Sequence, residues 1–108
     1  MSNQSENISL GALLRNLRMR KKISLTLAAA HLRIDIAILS KMERGERNIS
    51  RKLLPKFALL YKTSERKLVI KFLSEKILLE LAHEIFGSVV LKQALKEIKY
   101  YKNNLNKK

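Results

Sequence analysis

Apolar residues recur along this chain at helical spacing. The first such segment places four leucines three or four residues apart, on one face of a helix: Leu10, Leu13, Leu14 and Leu17. Ser9 precedes them and is a suitable N-cap, because its hydroxyl can accept from the free N–H groups of the first turn. No segment shows a strand pattern of any strength. The pattern therefore predicts an all-α fold.

The stretch SLTLAAAHLRIDIAILSKMERG, residues 24–45, predicts two short helices joined by a tight turn. Ser24 and Asp35 are the predicted N-caps of these helices, which cover residues 25–32 and about 36–44. The final glycine ends the second helix, because glycine enters the left-handed backbone region without steric cost. In a basic chain, two helices at this spacing suggest a helix-turn-helix, with the second helix entering the major groove.

Three further helices are predicted downstream. The first covers about residues 51–61 and contains Pro55, which lacks an N–H where a helical hydrogen bond should form. We therefore expect a kink or a loose first turn there. Two longer apolar helices follow at about residues 64–82 and 89–101, the second with Ser88 as its predicted cap.

These segments predict four regions in one small domain with an appendage. They are a flexible N-terminus at 1–8, a helix-turn-helix domain at 9–63, a C-terminal helical hairpin at 64–102 and a flexible basic tail at 103–108. Lysines and glutamates interrupt the most apolar region, residues 67–92, so it cannot supply the roughly 20 apolar residues of a membrane span. We therefore expect no membrane partner and a cytoplasmic location.

Charge makes nucleic acid the favoured partner. The chain carries 23 Lys and Arg against 9 Asp and Glu, a net charge of +14. A protein this basic attracts polyanions. The alternative is a soluble protein from an organism whose proteins are rich in lysine. Cysteine is absent, which excludes disulfides and thiolate metal sites.

Several short motifs between residues 10 and 63 fit one known pattern: Leu10-Gly11, Leu14, Leu17-Arg18, Ile23-Ser24, Ala29 and the run LSKMERGERN at residues 39–48. Together they resemble the Cro/repressor-like (XRE-type) helix-turn-helix transcriptional regulators. The resemblance implies a lambda-repressor-like domain of four to five short helices. The two apolar helices after it look like the extension of small regulators found beside restriction–modification systems.

The resemblance also implies roles for individual residues. Glu43 matches an acidic residue that pairs with an arginine of the first helix, here Arg18, and we favour this structural ion pair over DNA contact. The base-edge positions of the family are Ile36, Ala37, Ser40 and Lys41. The side chains of Ile36 and Ala37 cannot hydrogen-bond, but both can pack on thymine methyl groups. The Lys41 side chain can donate to guanine. The alternative for Ile36, Ala37 and the neighbouring Ile38 is simple burial, for example at a protein interface.

Phosphate contacts are expected at helix N-termini, where free N–H groups favour anions. They are also expected in the cationic loop after the second helix of the helix-turn-helix, which is the recognition helix. The expected residues are Ser24, Thr26, Arg44, Arg47, Asn48 and Arg51. For each cation alone, a solvated surface charge is the alternative. Part of the specificity is expected from DNA shape and flexibility.

The C-terminal helices carry more apolar surface than one small monomer can easily cover, which predicts a homodimer. The predicted dimerisation residues are Val69, Phe72, Leu73, Ile77, Leu91, Leu95 and Ile98. Packing inside the monomer is the alternative.

No cofactor or enzymatic activity is expected. His31 is flanked by apolar residues, and His83-Glu84 lacks a third ligand, so neither histidine predicts a metal site. The sequence therefore predicts a dimeric regulator, most simply a repressor, that binds a pseudo-palindromic operator in double-stranded DNA. The alternative is an antitoxin or another protein-interaction module in which the same hairpin holds an unknown protein partner.

Overall fold

The structure is a computed structural model that describes residues 8–106, and it contains no strand in that range. Its α-helices are α1 (Leu10–Arg20), α2 (Leu25–Leu32), α3 (Ile36–Glu43), α4 (Leu54–Tyr61), α5 (Glu65–Leu81) and α6 (Gly87–Asn106). The predicted all-α class is confirmed. The predicted flexible N-terminus, except for Ile8, lies outside the described residues.

Side-chain caps begin the first three helices as the sequence predicts. Ser9, Ser24 and Asp35 each accept a hydrogen bond from a backbone N–H two or three residues further on, at 3.1, 3.0 and 2.7 Å. Arg33 ends α2 in the left-handed conformation, with φ of 57°. Because the next cap follows two residues later, α2 and α3 are joined by a very short turn.

The predicted loose first turn of the fourth helix is present. A 3₁₀ turn at Arg51–Leu53, capped by Ser50, precedes α4, and α4 itself begins at Leu54. Pro55 therefore lies in the first turn of α4, where an N–H would have no helical partner in any case.

The chain divides into two compact units, the first up to Lys76 and the second from Ile77. The first unit has an apolar core to which all of α1 to α4 and the start of α5 contribute. Its buried residues are Leu10, Leu14, Ala28, Ala29, Leu32, Leu39, Leu54, Phe57, Ala58, Tyr61 and Leu68. The Glu75 carboxylate also accepts from the Leu10 backbone N–H, so α5 satisfies a free donor at the start of α1. This core fixes the positions of α2 and α3.

A glycine permits the close approach of α1 to the end of α3. Gly11 is buried, and a Cβ atom built on it would lie 2.1 Å from the Met42 carbonyl oxygen and 3.0 Å from that of Glu43. Both neighbours are backbone atoms, which cannot move aside by rotating a side chain. The side-chain-free surface of α1 at this point therefore sets the distance between the two helices.

We expect Gly11→Ala to destabilise the fold by at least about 1–3 kcal/mol, the usual effect of overpacking a core. Denaturant unfolding measures the change. Asn16→Ala, at an exposed position of the same helix, is the control and should unfold as the parent does. A Gly11→Ala protein of unchanged stability would contradict the close helix contact.

The sequence-based bounds of α6 are wrong at both ends. The helix begins at Gly87, so Ser88 lies within its first turn and is not its cap. It also continues through residues 103–106, which were predicted to belong to the basic tail. No glycine or proline follows Tyr101 to stop it, and the Asn104 side chain donates to the Tyr100 carbonyl at 2.9 Å. No described helix is both long and apolar enough to cross a membrane.

Candidate nucleic-acid interface

Helix α3 has one buried and one exposed face. Leu39 and Met42 point into the core. The four predicted base-edge residues lie on the rest of the helix, exposed except for one half-buried serine: Ile36, Ala37, Ser40 and Lys41. Ile36 remains 41% exposed in the single chain. The helix therefore presents these residues to an outside partner, and their contact with base edges stays a prediction.

The Arg18–Glu43 contact is present with two-pronged geometry. The Arg18 Nε and a terminal nitrogen donate to the two carboxylate oxygens of Glu43 at 2.8 and 3.0 Å, and the other terminal nitrogen donates to the Ile23 carbonyl at 3.0 Å. The hydrogen bond to Glu43 raises the pKa of Arg18. Glu43 is only 7% exposed. The pair thus holds the end of α3 against α1 and the α1–α2 turn.

Tyr61 lies close enough to the Arg18–Glu43 pair for both charges to influence its pKa. Among the described residues, its buried hydroxyl has no hydrogen-bond partner. The pKa of Tyr61 is raised to about 12. Burial is the largest cause and the Glu43 carboxylate adds to it, whereas the Arg18 charge acts to lower the pKa. The hydroxyl is therefore strongly held in its neutral form.

Tyr61→Phe should be neutral or slightly stabilising at pH 7, because the buried hydroxyl it removes is unsatisfied. Above pH 10 the unfolded chain loses the tyrosine proton while the folded chain keeps it until about pH 12. The parent should therefore lose stability relative to Tyr61→Phe between pH 10 and 12, by on the order of 1–3 kcal/mol. Urea unfolding of both proteins across this range measures the difference, and parallel curves would contradict the raised pKa.

All six predicted phosphate-contact residues are exposed: Ser24, Thr26, Arg44, Arg47, Asn48 and Arg51. Ser24 and Thr26 lie at the N-terminus of α2, where free N–H groups and the helix dipole attract anions. The other four lie at the end of α3 or in the segment that follows it. Contact of each with phosphate stays a prediction.

Arg44 already has partners within the chain. Its Nε and a terminal nitrogen donate to the Glu46 carboxylate at 3.0 and 3.1 Å, and it also donates to the Ser40 hydroxyl. The hydrogen bond raises the pKa of Arg44 and lowers that of Glu46. Both side chains are about half exposed, so solvent weakens the pair. A phosphate would have to replace a carboxylate here.

Two residues near this surface were not predicted from the sequence. A cleft of about 380 Å³ lies between α1, α2 and α3, and Arg15 and Asn16 line it together with Leu25, Ser40 and Arg44. Only the tertiary packing brings these α1 side chains to the edge of the recognition helix. The sequence signal for Arg15 was its position three residues before Arg18, which places the two arginines near each other on α1.

The predicted dimerisation residues divide into two groups. Val69 and Phe72 are partly buried and pack against the core of the first unit. This agrees with the alternative interpretation, in which such residues pack inside the monomer. The remaining five are exposed: Leu73, Ile77, Leu91, Leu95 and Ile98. Nothing within residues 8–106 groups three or more potential metal ligands.

The sequence pattern of the helix-turn-helix domain matches residues 9–68, more than half of the chain. The chain belongs to the helix-turn-helix family. This helix-turn-helix protein is also similar to a solved structure, the clp gene regulator ClgR from Corynebacterium glutamicum, with 26% identity and a TM-score of 0.53 over 85% of this chain and 84% of that one. No curated protein sequence is similar enough to count as a match.

The expected kinship with helix-turn-helix transcriptional regulators is thereby confirmed. Membership of the Cro/repressor-like (XRE-type) branch and a place beside restriction–modification systems stay predictions.

Proposed function

We propose that this helix-turn-helix protein is a sequence-specific regulator of transcription that binds double-stranded DNA as a homodimer and represses by occupying its operator. The observation that carries this proposal is the recognition helix, whose outer face is free while an arginine–glutamate pair anchors its inner end. A net charge of +14 supplies the attraction to DNA. Similarity to a gene regulator supports the same function.

In this proposal α3 enters the major groove. Lys41 donates to guanine and Ser40 bonds to either base type, whereas the exposed side chains of Ile36 and Ala37 pack on thymine methyl groups. A reading face that is half apolar supplies few hydrogen bonds. Sequence-dependent bending of the DNA therefore contributes part of the specificity.

A two-fold dimer places two recognition helices against half-sites about 34 Å apart, or a multiple of that distance. The five exposed members of the predicted dimerisation set support a partner for the C-terminal helices. The operator is then an inverted repeat.

Selection of the full chain on a random double-stranded DNA library tests this function. We expect an inverted repeat whose half-sites contain thymines and a guanine. Lys41→Ala should lose the preference at the guanine, whereas Lys56→Ala, an exposed lysine of α4, is the control and should keep the whole consensus. Absence of any enriched sequence contradicts specific binding. Enrichment of a single half-site contradicts the dimer.

A second function, an antitoxin or protein-interaction module, is favoured by the segment between α5 and α6. There the neighbouring residues Ile85 and Phe86 are 91% and 66% exposed, and a contiguous exposed apolar patch often marks a protein contact. This candidate predicts that Ile85→Ser/Phe86→Ser leaves binding to the selected DNA unchanged. Loss of DNA binding in that double variant would argue against it.

A further inference from the structure

Helix α6 has an apolar stripe with heptad spacing. From Gly87 to Leu105 none of its side chains is buried in the single chain. Its stripe consists of residues separated alternately by three and four positions: Leu91, Ala94, Ile98, Tyr101 and Leu105. This is the a/d repeat that places one face of a helix against a second helix.

The lysines of α6 fit the same heptad register. Lys92, Lys96 and Lys99 fall at positions b, f and b, on the side away from the stripe. No lysine occupies an a or d position. The apolar stripe, which would form the seam with a partner helix, therefore contains no positive charge. A surface of this kind suits a partner helix better than it suits water.

We propose that α6 pairs in parallel and in register with α6 of a second copy of this chain, over residues 91–105. The inference rests on the proposed homodimer and identifies the surface that forms it. A parallel, in-register pair has a two-fold axis between its helices, which matches the symmetry of an inverted-repeat operator.

Charge complementarity selects the second copy and the orientation. Glu97 is a g residue and Lys102 is the e residue five positions later. In a parallel pair, g of one helix faces e of the next heptad on the other, so two Glu97–Lys102 pairs form across the seam. An antiparallel pair would instead bring g against g and e against e. In the single chain, Gln93 of the preceding turn donates a hydrogen bond to the Glu97 carboxylate at 2.8 Å.

The seam is short, and this sets its strength. Residues 91–105 cover two heptads and the first position of a third, and they span about 21 Å at 1.5 Å per residue. Such a pair associates weakly in free solution and is strengthened when two half-sites on one DNA raise the effective concentration of the second copy.

Disulfide cross-linking tests orientation and register. The chain has no cysteine, so a single introduced thiol reports only its own contacts. Leu105→Cys should cross-link to itself under mild oxidation, and Asn103→Cys, at the outer f position, is the matched control and should not. A mixture of Leu91→Cys and Leu105→Cys should give homodimers of each. Preferential formation of the mixed dimer would overturn the parallel arrangement.

Charge exchange tests the pairing residues. Glu97→Lys and Lys102→Glu should each raise the dimer dissociation constant about five- to tenfold in sedimentation of the full chain. The double variant and the equimolar mixture of the two single variants should both restore association. Circular dichroism checks that each variant keeps its helices. Single variants that associate as the parent does would overturn the proposal.

The DNA target separates this inference from the proposed function. Cross-linking through Leu105→Cys with no sequence-specific DNA binding supports the α6 seam and contradicts the regulator. Binding to an inverted repeat without that cross-link supports the regulator and overturns the seam.

Discussion

Arg18→Ala should lower the free energy of unfolding by about 3–5 kcal/mol and weaken DNA binding together with it. The reason is that the substitution leaves the Glu43 carboxylate, which is 7% exposed, without the two hydrogen bonds that offset its burial. It also frees the Ile23 carbonyl. Because Glu43 is the last residue of α3, a loosened pair misplaces the recognition helix as well as weakening the core.

Three variants separate the explanations for this effect. Arg15→Ala removes an exposed arginine from the same helix and should leave stability nearly unchanged. The double variant Arg18→Met/Glu43→Leu removes both charges and should recover much of the lost stability, because an apolar pair of similar volume avoids the burial of charge. Loss of DNA binding in Arg18→Ala with an unchanged unfolding midpoint would contradict the structural role and would make Arg18 a DNA contact.

Much of the first unit could be predicted from the sequence, because its signals are local. Capping serines and an aspartate mark the starts of α1 to α3, and short-range geometry is enough to place them. The Arg18–Glu43 pair spans 25 positions of sequence, and its prediction came from family resemblance. Periodicity alone could not have paired those two residues.

Features that depend on helix packing were not predictable in the same way. Gly11 matters because a backbone carbonyl of α3 lies over it, and nothing in α1 itself indicates this. Arg15 joins the cleft beside the recognition helix for the same reason. Val69 and Phe72 look like interface residues by hydrophobicity, yet they pack partly against the core. A sequence pattern shows that a face is apolar but does not show what covers it.

The end of α6 shows a different limit. Asparagine and lysine after Tyr101 suggest a tail by composition, whereas the heptad stripe continues to Leu105 and the helix to Asn106. Periodicity was the better guide than composition at this terminus, because polar residues on an outer helix face do not stop a helix. The same continued stripe is what makes a two-heptad seam available.

Affinity for the selected operator should fall roughly 10³- to 10⁵-fold between 50 and 200 mM salt, as expected for six to ten phosphate contacts. In the proposed dimer, these contacts come from the exposed cations around α3, among them Arg47 and Arg51, and each contact occurs twice. Titration of labelled operator at several salt concentrations gives the slope of log K against log[salt].

Single substitutions resolve that slope into residues. Arg47→Ala removes one cation per protomer and should reduce the magnitude of the dimer's slope by about 1.8, since each phosphate contributes about 0.9. Lys56→Ala makes the same charge change on α4 and should leave the slope unchanged. Glu46→Gln should steepen the slope, because Arg44 no longer exchanges a carboxylate for a phosphate. A slope near zero in the parent would contradict binding through many phosphates. Equal decreases in Arg47→Ala and Lys56→Ala would show that net charge, and not the surface around α3, attracts the DNA.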